Sequence, residues 1–455
     1  IHRIHMGADL PSVQAGEPYF FIGFGQRVVD FSTVRHPQEM TRCDTCHAGE
    51  DAELYRTNAQ EEACLACHDD VAPAEGENHP TVGGDTGCNF CHAPGALLPV
   101  GEAHLIGRLN PAGPEVELAL ESITDTNPTN TPTIRFSVQV DGAARDIISD
   151  PLSTLRVTFA GPNSDFAEYW QATIQGRGAS GTLSAVDANG GVFDYTVPAA
   201  AALPADASGS YTVALEGYIQ PDDLPRFAAF SPMLAFAVTG DEVTERATIV
   251  SSESCNDCHA DLAAHGDQRK NPTYCATCHN PNTVGVGRFA RVEGTTVDIP
   301  TVDFKVMIHK IHMGEALTQQ PYILGGFPPP SESNPEGNPV NFGEVRYPAN
   351  RGDCSMCHLG GTYGLPPMVA SLPVVLETRT CTEDPAADDN DFCNDPFWVV
   401  ESTTLLPPTT AACTGCHDSS DTLAHAELNT TMDGVEACGT CHGPGATWDV
   451  EVVHP

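Results

Sequence analysis

Sixteen of the 18 cysteines in this 455-residue chain fall into eight copies of one pattern, Cys-x-x-Cys-His. The copies are "CDTCH" at 43–47, "CLACH" at 64–68, "CNFCH" at 88–92, "CNDCH" at 255–259, "CATCH" at 275–279, "CSMCH" at 354–358, "CTGCH" at 413–417 and "CGTCH" at 438–442. This is the attachment signature of a c-type haem. Two thiols add to the porphyrin vinyl groups, and the adjacent histidine is held where its ring nitrogen can bind the iron. Paired Cys-x-x-Cys units also build zinc ribbons, but a histidine directly after the second cysteine in every copy does not fit zinc. The expected thioether cysteines are Cys43, Cys46, Cys64, Cys67, Cys88, Cys91, Cys255, Cys258, Cys275, Cys278, Cys354, Cys357, Cys413, Cys416, Cys438 and Cys441. The expected proximal ligands are His47, His68, His92, His259, His279, His358, His417 and His442. Covalent haem attachment takes place outside the cytoplasm, so the chain reads as exported.

Eight of the 18 histidines are used inside the motifs. An electron-transfer haem usually takes a second strong axial ligand, and His gives a lower potential than Met. In 249–455 the five motifs meet five further histidines, His265, His309, His312, His425 and His454. The N-terminal stretch offers His2, His5, His79 and His104 for three motifs, one more than needed. His2 and His5, like His309 and His312, are three apart, which places both rings of each pair on one helical face. Two rings so placed can serve two neighbouring haems. Met6 and Met313 adjoin these histidines and read as packing rather than ligation.

The two ends of the chain repeat each other. "IHRIHMG" at 1–7 matches "IHKIHMG" at 308–314, and "FSTVRHP" at 31–37 matches "FGEVRYP" at 342–348. Cys43 then aligns with Cys354, Cys64 with Cys413 and Cys88 with Cys438, while His79 answers His425 and His104 answers His454. His36 aligns with Tyr347, which argues against ligation by His36. The second copy carries two motifs upstream of its "IHKIHMG", and the first does not. The chain does not begin with Met, so it reads as processed or shortened, and the surplus histidine suits a haem upstream or on a neighbouring subunit.

Between 105 and 247 there is no Cys and no His. Period-2 alternation in "TIRFSVQV" (133–140), "STLRVTFA" (153–160), "GVFDYTVP" (191–198), "GSYTVALEGYI" (209–219) and "MLAFAVTG" (233–240) predicts short strands of an antiparallel sandwich or barrel. The expected fold class is therefore a multihaem cytochrome, mostly irregular with short helices, plus one all-β domain. The expected division is a partial haem domain with three haems at 1–104, the β domain at 105–247 and a five-haem domain at 248–455. Roughly 40 residues per haem is too little chain for a conventional core, so the haems themselves supply much of the buried apolar surface. A formal charge of −40 argues against nucleic acid and anionic membrane surfaces as partners. No apolar run approaches the roughly 20 residues of a membrane-spanning helix.

Cys381 and Cys393 lie outside the motifs, in "CTEDPAADDNDFC". In an exported chain a disulfide is the default. The acidic run Asp388, Asp389, Asn390 and Asp391 could ligate calcium, and a solvated acidic loop is the simpler reading.

Taken together, the haem motifs, the "IHKIHMG" element, the "VRYP" element before "CSMCH" and a strand domain between two haem clusters resemble the MtrC/OmcA family of outer-membrane decahaem cytochromes. The resemblance spans essentially the whole chain. It implies five-haem domains alternating with β-barrel-like domains at the cell surface. It further implies electron transfer from an outer-membrane conduit to metal oxides, flavins, electrodes or partner cells. This sequence departs from the family in having eight motifs and no first β domain, which places the difference at the N-terminal side. Two other readings stand beside it. One is a subunit of a polymeric haem filament. The other is an eight-haem reductase of nitrogen or sulfur compounds, which needs an open iron face or an unusual ligand such as Lys, of which there are three.

Overall fold

The structure is a computed structural model that describes residues 1–82, 84–222, 224–240, 242–259, 261–285, 296–326, 338–367, 370–382 and 398–454. In the middle segment the alternating stretches form strands. These are β1 (Val116–Thr124), β2 (Thr133–Val140), β3 (Thr154–Gly161), β4 (Glu168–Gln175), β5 (Thr182–Asp187), β6 (Val192–Thr196), β7 (Ser210–Ile219) and β8 (Met233–Ala237). One antiparallel sheet runs β1-β2-β6-β5, with Ala143–Ala144 added beside β2. In the other, β7 lies between β3 and the short strand Phe227–Ala228, and also pairs with β8, while β4 pairs with β3. The inner faces of both sheets share one core that includes Phe136, Phe193 and Tyr195 from the first and Leu155, Phe159 and Leu215 from the second, all fully buried. Burial of each such side chain is worth about 1.5–3 kcal/mol, so this segment is a sandwich stabilised by its own core.

β2 alternates buried and partly exposed residues, as a half-solvated strand should. By contrast, β7 is buried along eight consecutive residues, Glu216 among them. One face of β7 meets the sandwich core. On the other face Glu216 accepts from Arg269, and helix α2 (Pro272–Cys278) lies against the neighbouring strand β3, where Ala276 packs with Ala160 and Phe166.

The haem-motif segments consist of short helices and turns, as their composition predicts. Two features differ from that expectation. A three-stranded antiparallel sheet forms from Thr296–Ile299, Val374–Cys381 and Trp398–Leu406, and small hairpins form at Phe20–Ile22/Val28–Asp30 and Ile323–Gly325/Pro339–Asn341. The β-branched runs Val374-Val375, Val399-Val400 and Thr403-Thr404 favour a pleated backbone. Trp398–Leu406 is exposed along most of its length and Val374–Cys381 is partly buried on both faces, so no clean alternation marks them.

By contacts the chain divides into two compact units. Ile1–Gly113 with Asn256–Ala260 forms one, and Pro114–Cys255 with Asp261–Pro455 forms the other. Each contains one copy of the repeat, and the repeated phrases touch. Helix α1 (His2–Met6) ends at Gly7, and helix α3 (Phe304–Met313) ends at Gly314, with φ of +42° and +48°. The Val34 carbonyl accepts from Ala8 N at 2.8 Å, and the Val345 carbonyl accepts from Glu315 N at 3.0 Å. A Cβ on either glycine would overlap that carbonyl, so "HMG" and "VR-P" are two halves of one clasp. A second clasp uses the aspartate directly after a motif histidine. Asp69 accepts from Ser12 N at 3.0 Å, and Asp418 accepts from the equivalent Gln319 N at 2.8 Å and from Thr318 N at 2.7 Å.

Candidate haem-iron sites

Each motif closes one helical turn. The histidine N–H donates to the carbonyl of the first cysteine at 2.9 Å in the motifs beginning at Cys43, Cys64, Cys275, Cys354, Cys413 and Cys438. The other two lie inside helices Gly84–His92 and Ser252–His259. Residues three and four apart share a helical face, so the second cysteine and the histidine are both carried on the side of the first cysteine. That is the arrangement needed to hold two thioethers and one axial ligand on one porphyrin.

Among the described ring contacts, seven motif histidines each face a second histidine. In the N-terminal unit the ring centroids lie 5.9 Å apart for His47 and His2, 6.0 Å for His68 and His104, and 6.0 Å for His92 and His79. In the other unit the separations are 5.9 Å for His279 and His265, 6.0 Å for His358 and His309, 5.9 Å for His417 and His454, and 6.3 Å for His442 and His425. Metal–imidazole bonds of about 2 Å require the centroids of two trans imidazoles to be about 6 Å apart. Among the described residues, no group of three or more His, Cys, Asp or Glu side chains is gathered as a metal site. Two imidazoles facing one another at this distance suit a metal that brings its own equatorial donors, as haem does.

The ring tautomers fit as well. The Nδ1 of His92 lies 2.8 Å from the Leu98 carbonyl, that of His279 2.8 Å from Val302, and that of His442 3.1 Å from Trp448. Among the facing partners, His79 and His104 place Nδ1 2.7 and 2.9 Å from the Pro80 and Val100 carbonyls. A carbonyl only accepts, so each of these rings carries its proton on Nδ1 and leaves the Nε2 lone pair for a metal. The same hydrogen bond orients the ring and raises its basicity as a ligand. Burial, with His358 nearby, pushes the His309 imidazole down to about 4. Burial also lowers His2, His279 and His358 from the ordinary value. All four are therefore neutral near pH 7, as ligation requires. The thiols behave oppositely, with burial raising Cys275, Cys413 and Cys416 to about 11.

The pairs obey the repeat. His2/His47 corresponds to His309/His358, His104/His68 to His454/His417, and His79/His92 to His425/His442. The pairing does not follow chain order: His104 comes after the motif at Cys88 yet faces the histidine of the motif before it. No spacing in the sequence signals that crossing, because the tertiary path of the chain makes it.

The remaining histidines fall into equivalent places. His5 sits edge-on to His36 at 5.6 Å, and His312 sits edge-on to Tyr347 at 5.6 Å. His36 thus takes the packing place of Tyr347, and His5 is the member of the N-terminal set that meets no motif histidine among the described ring contacts. His259 is half-buried; burial lowers its imidazole, and the Glu39 carboxylate opposes that shift. Met313 packs with Leu317, Tyr322 and Leu324. Cys381 is buried at the end of its strand, opposite Trp398. Cys393 and the acidic run 388–391 lie outside the described residues, so the expected bridge and calcium site are not part of the described structure.

Residues 247–455 match the family described as outer membrane cytochrome MtrC/MtrF-like, domains II/IV. A stretch of 137 residues is 32% identical to the multiheme cytochrome MtrC of Shewanella baltica, taking in 28% of this chain and 19% of that relative's length. The crystal structure of MtrC from Shewanella baltica superposes with a TM-score of 0.55 at 15% identity, over 90% of this chain and 65% of that one. The outer membrane decaheme cytochrome OmcA superposes with a TM-score of 0.53 at 18% identity, over 100% of this chain and 67% of that one. The chain therefore spans about two thirds of the length of its solved relatives, and at these identities the superpositions speak for the fold. The family match thus covers residues 247–455, a little under half of the chain, and over the rest the likeness to these outer-membrane cytochromes is one of fold.

Proposed function

We propose that this chain conducts electrons at the outer surface of the cell through eight covalently held c-type haems with histidine as both axial ligands. One observation carries the reading: seven motif histidines each face a second histidine at 5.9–6.3 Å. Bound haem would supply a one-electron iron couple. The chain's own part is to anchor each porphyrin through two thioethers, hold Nδ1 protonated so that Nε2 points to the metal, and fill both axial positions.

Filled axial positions favour conduction over the alternative of an eight-haem reductase, which needs an iron open to substrate. The relatives' setting supports delivery from an outer-membrane conduit to external acceptors such as metal oxides, flavins or electrodes. The purified holoprotein should contain eight haems per chain by pyridine haemochrome assay, show low-spin spectra at rest, and be rapidly reoxidised by soluble ferric chelates or flavin. High-spin haem making up much of the resting spectrum, or failure of the reduced protein to reoxidise, would overturn the reading.

A further inference from the structure

The candidate iron site at His279 differs from the others in how its second histidine is held. His265 stands in a turn where His265, Gly266 and Asp267 have φ of +56°, +71° and +66°. Three successive left-handed residues, two of them not glycine, do not persist without support from their surroundings. His265 is itself exposed.

The support comes from the sandwich. Arg226, just before the short strand Phe227–Ala228, donates from Nη1 to the carbonyls of His265 at 3.3 Å and Gly266 at 3.1 Å. Its guanidinium lies over the Tyr218 ring of β7, 5.0 Å from the centroid, which fixes the donor's direction. A Cβ at Gly266 would collide with that Nη1, so the arginine is seated directly on the turn. The other end is closed by Arg269. Its backbone pairs with Ala264, and its Nε donates at 2.7 Å to Glu216, a buried carboxylate of β7. The opposite ligand is tied to the same sheet. Tyr274, on helix α2 beside Cys275, meets Thr158 of β3 at 2.9 Å, and Asn271 at the start of α2 donates to the Ser231 carbonyl at 3.0 Å.

We propose that Arg226 is a positioning residue through which the β-sandwich keeps the His265 turn closed on the Cys275–Cys278 haem, so that this iron stays six-coordinate. The proposal rests on the bis-histidine reading above. Beyond that reading, it gives the sandwich a role in the redox chemistry: it guards one particular iron against outside ligands.

The test uses the holoprotein, with spin state by electron paramagnetic resonance and carbon monoxide uptake by the reduced form. Arg226→Ala should raise carbon monoxide binding from none to about one haem per chain, with a matching high-spin signal. Arg226→Lys, which keeps a cationic donor, should restore most of the closed state. Gly266→Ala, which strains the turn itself at φ +71° as well as displacing the guanidinium, should open the same iron, and haem content with far-ultraviolet dichroism reports folding for each variant. His265→Ala separates the two levels. If it yields one high-spin haem while correctly folded Arg226→Ala stays low-spin and inert to carbon monoxide, the clamp is refuted and the ligand assignment stands. If His265→Ala itself stays fully low-spin, the ligand assignment fails and takes the clamp with it.

Discussion

Removing the Glu216 carboxylate should destabilise the sandwich together with the helix packed on it. Glu216 is 2% exposed in the buried strand β7 and accepts from Arg269 at 2.7 and 3.3 Å and from Arg156 at 2.5 Å. Breaking a buried pair by deleting one partner costs about 3–5 kcal/mol. The two arginine side chains keep 16% and 27% of their exposure, so they can turn partly to water, and the lower figure of about 3 kcal/mol applies to Glu216→Ala. For a domain near this size each kcal/mol moves Tm by roughly 4 °C, giving a fall of about 12 °C in the holoprotein melt at pH 7. Burial opposes the charge on Glu216, yet Arg269 and Arg156 outweigh it and hold the carboxyl below its usual value. A depressed folded value means the contribution is complete above the unfolded value of about 4.3 and is lost as pH falls through the folded one. The gap in Tm between wild type and Glu216→Gln should therefore be constant from pH 8 to about 5 and narrow progressively as pH falls below the unfolded value of about 4.3. A fall under about 4 °C for Glu216→Ala at pH 7, or a gap that widens in acid, would refute the account.

Other outcomes follow from the repeat and from the unassigned cysteines. Gly314→Ala places a side chain at φ +48° against the Val345 carbonyl and should cost about 1–3 kcal/mol, read as a lower midpoint in guanidinium. His36→Tyr installs the residue found at the equivalent Tyr347 and should leave haem count, spin state and Tm within error of wild type; a new high-spin signal would make His36 a ligand. Peptide mapping without reduction should recover Cys381 joined to Cys393, and two alkylatable thiols at these positions would rule the bridge out.

The anchoring chemistry was legible in the sequence because it is local. Cys-x-x-Cys-His needs only one helical turn, and all eight copies can be read without a fold. The sandwich was legible too, since half-buried strands such as β2 write their environment into a two-residue period. What escaped was set by tertiary structure. His104 and His68 are far apart in sequence and His79 and His92 close together, yet both pairs come to 6.0 Å, so no spacing rule could assign them. The sheet of Val374–Cys381 and Trp398–Leu406 escaped because an outward-facing strand of Glu, Ser and Thr lacks a buried face to impose alternation. The role of His36 was visible only by aligning it with Tyr347, and the geometry around His5 and His312 gives that alignment a physical cause.

The uneven distribution of the core bears on assembly. The sandwich buries a large apolar cluster of its own, whereas among the described residues the clusters elsewhere hold three buried side chains each. A chain that has received no haem would therefore fold in its middle and remain soft on either side, open to proteases in the compartment where attachment occurs. Each haem attached would extend the resistant region outward from a centre that is already folded. Cofactor loading and survival of the polypeptide would then be a single process, and an incompletely loaded copy would be degraded rather than displayed.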